Sequence, residues 1–511
     1  MSEERDLGND YIEAARVFHE ITKHSYTSVR SSPHFLDWDI KPIPYKIYPG
    51  AASVPLPRDL NLSTTPMLAA LSSYVPADFS ASIDTGSLTR VLFCADGLTR
   101  SKRVGSDDYH FRAAASAGAL YPIEIYVAAG DVADLETGLY HFSPADLRIV
   151  GLRRGDWRGY IADAAAKRPS LLRARAVIAM SAIYWRSEWK YRARAYRYCY
   201  WDAGTILANL LAAAATEEIS AEVITAFEDP ALETLLGIDG EREGMIALIA
   251  LGHTDEPAGP SPQIEPLTLE SIPLSSREVA YPDLVKMHGE SRLVTSYEVA
   301  AVSAAKLDSK PQPPSANTLH LETITSEESA GLGETILRRG SSRAFSQQAI
   351  SAAELATIMA ASSEHPQADF PPLTDTYLIV NAADGLAPGA YYYNRSLRAF
   401  ELLKAGNFRG EAGYLCLEQP LGMDCAALVV YMADLERTLG ALGNRGYGDA
   451  HLEAGILGGR AYLAAYSLGR GATGLTFYDD DTTKFFAPHA AGKSPLLMVA
   501  IGVPGKGKSV S

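Results

Sequence analysis

Hydrophobic positions along the chain follow two different periods. Ile123 to Gly130 (IEIYVAAG), Arg175 to Tyr184 (RAVIAMSAIY) and Pro495 to Val503 (PLLMVAIGV) are short, nearly continuous apolar runs bounded by turn residues, and they predict buried strands. Asp202 to Glu218 (DAGTILANLLAAAATEE) and Glu453 to Gly469 (EAGILGGRAYLAAYSLG) place apolar residues at helical spacing on an alanine-rich background, which predicts two largely buried helices. From about His253 to Thr318 the period dissolves among Pro and Ser clusters (EPAGPSPQIEP, SKPQPPSAN), predicting a linker with a short helix near Tyr281 to His288.

The pattern also repeats. GLYHF at Gly138 returns as GAYYY at Gly389, GDWRG at Gly155 as GNFRG at Gly406, WDAGTILANLLAAA at Trp201 as LEAGILGGRAYLAA at Leu452, and IALIALGH at Ile246 as LLMVAIGV at Leu496. Matches in the same order at an offset of about 250 residues mean two copies of one α+β domain. The predicted layout is an extension over 1–60 that packs around the core, a first copy over 61–254, a linker over 255–320 and a second copy over 321–511.

Composition narrows the function classes. The chain has 511 residues, 47% of them hydrophobic and a formal net charge of −15, which fits a globular protein with ample core and disfavours nucleic acid or an anionic membrane as partner. No long apolar run suggests a membrane span, and the acidic start MSEERDLGND does not resemble a signal peptide. Cys94, Cys199, Cys416 and Cys425 are scattered without metal or dithiol spacing, as expected of buried free thiols in a reducing cytoplasm. His110, His141 and His253 lack partners at metal-ligand spacing, so no metal site is expected. Without a G-x-G-x-x-G after a strand or a G-x-S-x-G, Rossmann and hydrolase chemistries are poor fits.

The two copies differ where chemistry would sit. LRRGSSRAF (Leu337 to Phe345) aligns with LSSYVPADF (Leu71 to Phe79): the apolar anchors agree, while Arg338, Arg339 and Arg343 face Ser72, Ser73 and Ala77. Drift of a solvated surface would leave the same asymmetry as an anion site kept in one copy. The reverse holds for RAAASAGALYPIEIYV (Arg112 to Val127), whose small residues Ser116 to Ala119 allow backbone N–H groups close to a planar ligand; the second copy has SSEHPQADFPPLTDTYLIV there. Each half retains what the other lost.

RGSSRAF at Arg339 resembles the R-x-S-x-[RK]-x-F element of the FMN-dependent nitroreductase superfamily, and SAGALYP at Ser116 resembles the P-S-A-G-x-x-x-P element of its SagB/ThcOx-type dehydrogenases, with Ala115 in place of the usual Pro. The resemblance implies a tandem nitroreductase fold, a central mostly antiparallel sheet flanked by helices in each copy, paired as an intrachain pseudo-dimer. It also implies FMN at one composite interface site: Arg339, Ser341 and Arg343 toward the phosphate, and Ser116, Ala117, Gly118 and Tyr121 toward the ring. Lys506 and Lys508, in a tail that could equally be frayed, would close the phosphate end, and Gly474 in RGATGLTFYDD would sit beside the ring.

The stretch YWRSEWKYRARAYRYCYWDAG (Tyr184 to Gly204) resembles the K-Y-x-x-R-x-Y-R-Y segment of the azoline-dehydrogenase branch, which implies Lys190 and Tyr191 as an acid/base pair. The same residues would serve as a salt-bridged approach to a helix with Asp202 as N-cap. The expected function is hydride transfer to or from flavin N5 on a small molecule or peptide, azoline-to-azole oxidation among the candidates, with NAD(P)H or oxygen as redox partner. The alternatives are an NAD(P)H-dependent nitro or quinone reductase and a non-catalytic flavin-binding scaffold.

Overall fold

The computed structural model describes residues 8–104, 107–260, 262–267, 269–307 and 315–506. Two seven-stranded sheets repeat one another. In the first, Ser53–Pro55, Arg148–Arg154, Gly138–Ser143, Ile123–Ala129, Ala176–Ile183, Glu243–Leu251 and Ala221–Ile224 lie side by side in that order. In the second the order is Thr318–Leu319, Ala399–Ala405, Gly389–Asn394, Asp375–Val380, Ala427–Ala433, Ser494–Gly502 and Gly471–Leu475. Every neighbouring pair in both is antiparallel. The central strands Ile123–Ala129, Ala176–Ile183 and Ala427–Ala433 are buried throughout, which explains their continuous apolar runs. Equivalent helices begin alike: capping boxes Asp84/Ser87 and Ser351/Glu354 start Thr85–Asp96 and Ala352–Ser363 by satisfying N–H groups the first turn cannot pair itself.

The copies meet along their central helices, Ala195–Thr216 and Arg445–Ser467. Glycines bring the two backbones into contact. A Cβ on Gly204 would lie 2.5 Å from the amide nitrogen of Ile456, one on Gly455 2.7 Å from the carbonyl oxygen of Trp201, and one on Gly459 2.6 Å from the Ala208 Cβ. Buried on nearly every side, these helices lack the one-sided stripe of a surface helix.

The flanking segments tie the halves together. Asn9 Oδ1 accepts the Arg445 N–H at 2.7 Å and Asn444 Oδ1 accepts the Ala15 N–H at 3.1 Å, so the first segment packs on the second copy. The linker carries two helices, Pro282–Ser291 and Ser296–Ala304, where one was expected. Leu284, Met287, Val299 and Val302 anchor both in the main core. All four cysteines are buried free thiols, and among the described residues no helix is long and apolar enough to cross a membrane.

Candidate active site

A cavity of about 700 Å³ opens between the copies. Its floor is the loop Ala114–Ala119 of the first copy, and three side chains of the central helix hold that loop and the Ala113 before it from below. Asp202 accepts from Ser116 Oγ at 2.5 Å and from the Ala117 N–H at 2.9 Å, Thr205 Oγ1 donates to the Ala115 carbonyl at 2.6 Å, and Asn209 Nδ2 donates to the Ala113 carbonyl at 3.0 Å. Ser116 Oγ also accepts the Tyr121 N–H at 2.9 Å. Asp202 is therefore inside an unbroken helix rather than at its N-cap, and burial pushes its carboxyl up to about 7 despite the two donors. Polar residues at i, i+3 and i+7 of an otherwise apolar helix were the sequence signal for these three supports.

Gly118 turns the loop at φ +67°, and a Cβ there would lie 2.8 Å from Tyr191 Oη and 3.1 Å from Lys190 Nζ. The predicted pair Lys190 and Tyr191, at the C-terminal end of helix Tyr184–Tyr191, thus stands directly against the predicted loop. Burial, and secondly the charge of Arg343, holds the Lys190 ammonium below the usual lysine range. Burial, then Tyr198 and Asp202, raises the Tyr191 hydroxyl, so this side chain keeps its proton. Tyr121 also lines the cavity, but its hydroxyl is engaged by the Arg112 N–H at 3.2 Å.

The second copy supplies the opposite wall through Arg339, Gly340, Ser341, Arg343, Tyr462 and Thr473–Thr476. Arg339 is 6% exposed and donates to the carbonyls of Arg112 at 2.6 Å, Ala113 at 2.9 Å and Ala114 at 3.0 Å. It fastens one copy's arginine element to the other copy's loop. Ser341 Oγ lies 3.4 Å from Tyr462 Oη, which also accepts the Gly474 N–H. Arg343 is exposed at the cavity and has no hydrogen-bond or ion-pair partner among the described residues. Lys506 is exposed and does not line the cavity; Lys508 lies outside the described residues.

Sequence reasoning missed one wall. A hairpin of Leu98–Val104 and Asp107–Arg112 brings Arg100, Ser101, Lys102 and Phe111 to the cavity. Its signal was the short alternating run Asp108-Tyr109-His110-Phe111-Arg112 after the turn residues Gly105-Ser106. With the hairpin included, the lining holds five cations, Arg100, Lys102, Lys190, Arg339 and Arg343, against one acid, Asp202, in a chain of net charge −15. Such an enclosure favours an anion.

The pseudo-symmetric cleft is filled by the chain itself. Val223 N–H donates to the Gln367 carbonyl at 2.9 Å, Asp369 N–H to the Val223 carbonyl at 3.0 Å, and the Asp369 carboxylate accepts the N–H groups of Thr225 at 2.9 Å and Ala226 at 3.0 Å. Thr225 follows the edge strand Ala221–Ile224 as Thr476 follows Gly471–Leu475, yet Thr476 faces the open cavity and its N–H has no partner among the described residues.

The sequence profile of the Nitroreductase family matches residues 80–253 and again 336–503. The chain belongs to the nitroreductase family. Its membership is double, once for each sheet, and places it among oxidoreductases whose relatives generally bind flavin. An Anabaena variabilis protein named as a nitroreductase, known from its crystal structure, is 26% identical with a TM-score of 0.75, covering 96% of this chain and 99% of its own. That likeness extends over the whole tandem arrangement. A Methanocaldococcus jannaschii protein named as a nitroreductase is 29% identical over 177 residues, 35% of this chain and 84% of its own length.

Proposed function

We propose that this nitroreductase-family chain is an FMN-dependent oxidoreductase of the SagB/ThcOx type, with one flavin per chain in the cavity between its copies. The observation that carries the proposal is the composite cavity itself: a tight Ser116–Ala119 loop from one copy, the cationic element of the other, and Lys190 with Tyr191 between them. The residues fit the cofactor. FMN needs cationic donors at its phosphate and close-packed donors along a flat ring, and the wall from the second copy offers both unpaired Arg343 and the free Thr476 N–H. A volume of about 700 Å³ leaves room for a substrate beside it. The self-filled cleft supports a stoichiometry of one.

When bound, FMN supplies a hydride acceptor or donor at its ring. The chain's residues supply the rest. Lys190, with its lowered proton affinity, accepts the proton that a substrate loses on dehydrogenation, as azoline-to-azole oxidation requires. Tyr191 stays protonated and donates a hydrogen bond toward the same region. Asp202, Thr205 and Asn209 keep the loop in place through the cycle. The substrate is a small molecule or a peptide segment able to enter from the open side, and NAD(P)H or oxygen completes the redox balance.

The test is the visible spectrum of purified protein with released flavin quantified against chain concentration. About one FMN per chain is expected, and none after reconstitution would reject the proposal. Rapid bleaching by NADPH would move the assignment to a nitro or quinone reductase using the same cavity.

A further inference from the structure

Arg339 is the most conspicuous cation of the arginine element, yet its guanidinium is committed to three backbone carbonyls of the other copy. Lys506 stands outside the lining. A dianionic phosphate at this end would therefore find Arg343 and, beyond it, too few free donors in the second copy. The first copy's hairpin supplies one. Arg100 reaches across to Gly340, between Arg339 and Ser341: its Nη2 lies 3.4 Å and its Nη1 3.8 Å from where a Cβ on Gly340 would be. Its charge is felt at Arg339, whose proton affinity it lowers after burial has done so. Arg100 is exposed, and its nearest described interaction is the Phe111 ring at 5.2 Å; no hydrogen-bond or ion-pair partner holds it among the described residues. Two guanidinium groups close together repel unless an anion lies between them.

The second copy has no such hairpin: helix Ala352–Ser363 is followed by a link that leads directly to strand Asp375–Val380. The duplication thus serves as its own control, since the hairpin and the open cavity occur together and are both missing from the filled cleft.

We infer that Arg100 of the hairpin is a donor to the cofactor's phosphate, so that the phosphate is gripped from both copies and FMN is selected over flavin lacking a phosphate. The inference rests on the FMN proposal above. Freed of flavin and titrated back with FMN and with riboflavin, the wild type is expected to prefer FMN. Arg100→Ala, at an exposed position, should weaken FMN about 10- to 100-fold, the loss of one charge-assisted hydrogen bond, while leaving riboflavin unchanged. Arg100→Lys should recover part of the loss, and Arg154→Ala, an exposed arginine of the first copy outside the cavity lining, should change FMN affinity by less than about threefold. A wild type that prefers FMN together with an unchanged Arg100→Ala overturns the inference alone. FMN and riboflavin weakening in parallel overturns it too, because that signals a damaged cavity rather than a lost phosphate contact. A wild type that binds neither flavin fails the FMN proposal and the inference with it.

Discussion

Replacing Asp202 by Asn tests whether the carboxyl beneath the Ser116 loop carries its charge at a cost. The side chain is 4% exposed, and burial raises its pKa from the 3.8 of a free aspartate to about 7 although two donors oppose the shift. The folded protein therefore holds a proton over a range in which the unfolded chain has released it. The contribution of Asp202 to stability is fully present below pH ~4, falls as pH rises through the interval, and is lost above pH ~7. The slope is about 1.4 kcal/mol per pH unit for one proton, which amounts to about 3 kcal/mol between pH 5 and the plateau. Asparagine does not titrate. Other buried acids, such as Glu188 and Asp449, both pushed up to about 8, are common to both proteins and cancel in the difference. Urea unfolding followed by tryptophan fluorescence at pH 5, 6, 7 and 8, with equal flavin content, reads the difference directly. Wild type should gain about 3 kcal/mol over Asp202→Asn on going from pH 8 to pH 5. Parallel curves for the two proteins would show that Asp202 is ionised in the fold and refute the reasoning.

Three further outcomes follow from the geometry. Gly204→Ala should destabilise by about 1–3 kcal/mol in thermal or urea unfolding despite alanine's better helix propensity, because its methyl meets the Ile456 backbone at 2.5 Å. Lys190→Ala should slow a proton-releasing oxidation by about 10²–10⁴-fold and remove a rising limb of the pH–rate profile that lies below lysine's usual 10.5; an unchanged limb would clear Lys190 of the role. Asp369→Ala should cost about 2–4 kcal/mol by leaving the Thr225 and Ala226 N–H groups buried without an acceptor, with flavin still at one per chain.

The duplication and the α+β class were legible because they rest on apolar period, which each half preserves independently. The Ser116 loop was legible for a related reason: small residues before a strand have few uses other than close backbone approach. Contacts across the two copies were not, since they depend on where the halves meet. Arg339 looks in sequence like a free cation, and only the neighbouring loop shows its N–H groups to be spent on the carbonyls of Arg112, Ala113 and Ala114. Arg100 lies in an insertion without a repeat partner, so comparing halves passed over it. Asp202, two residues before Gly204, read as a helix start because aspartate before an apolar run usually is one; the aromatic turns ahead of it, Tyr196 to Trp201, are helical and buried by tertiary partners, Tyr196 by Phe18 and Ser291 and Trp201 by His451 of the second copy.

A two-fold homodimer writes every substitution twice. Had Asp369 arisen in such an assembly, its carboxylate would have closed both clefts at once, and the protein would have lost its function in one step. Joining the copies in one chain removes that penalty. One cleft can be sealed with the chain's own carboxylate and become rigid support, while the hairpin and the arginine element diverge around the other without needing to work in duplicate. The filled cleft thus records a release from symmetry, and it left the open cavity free to specialise.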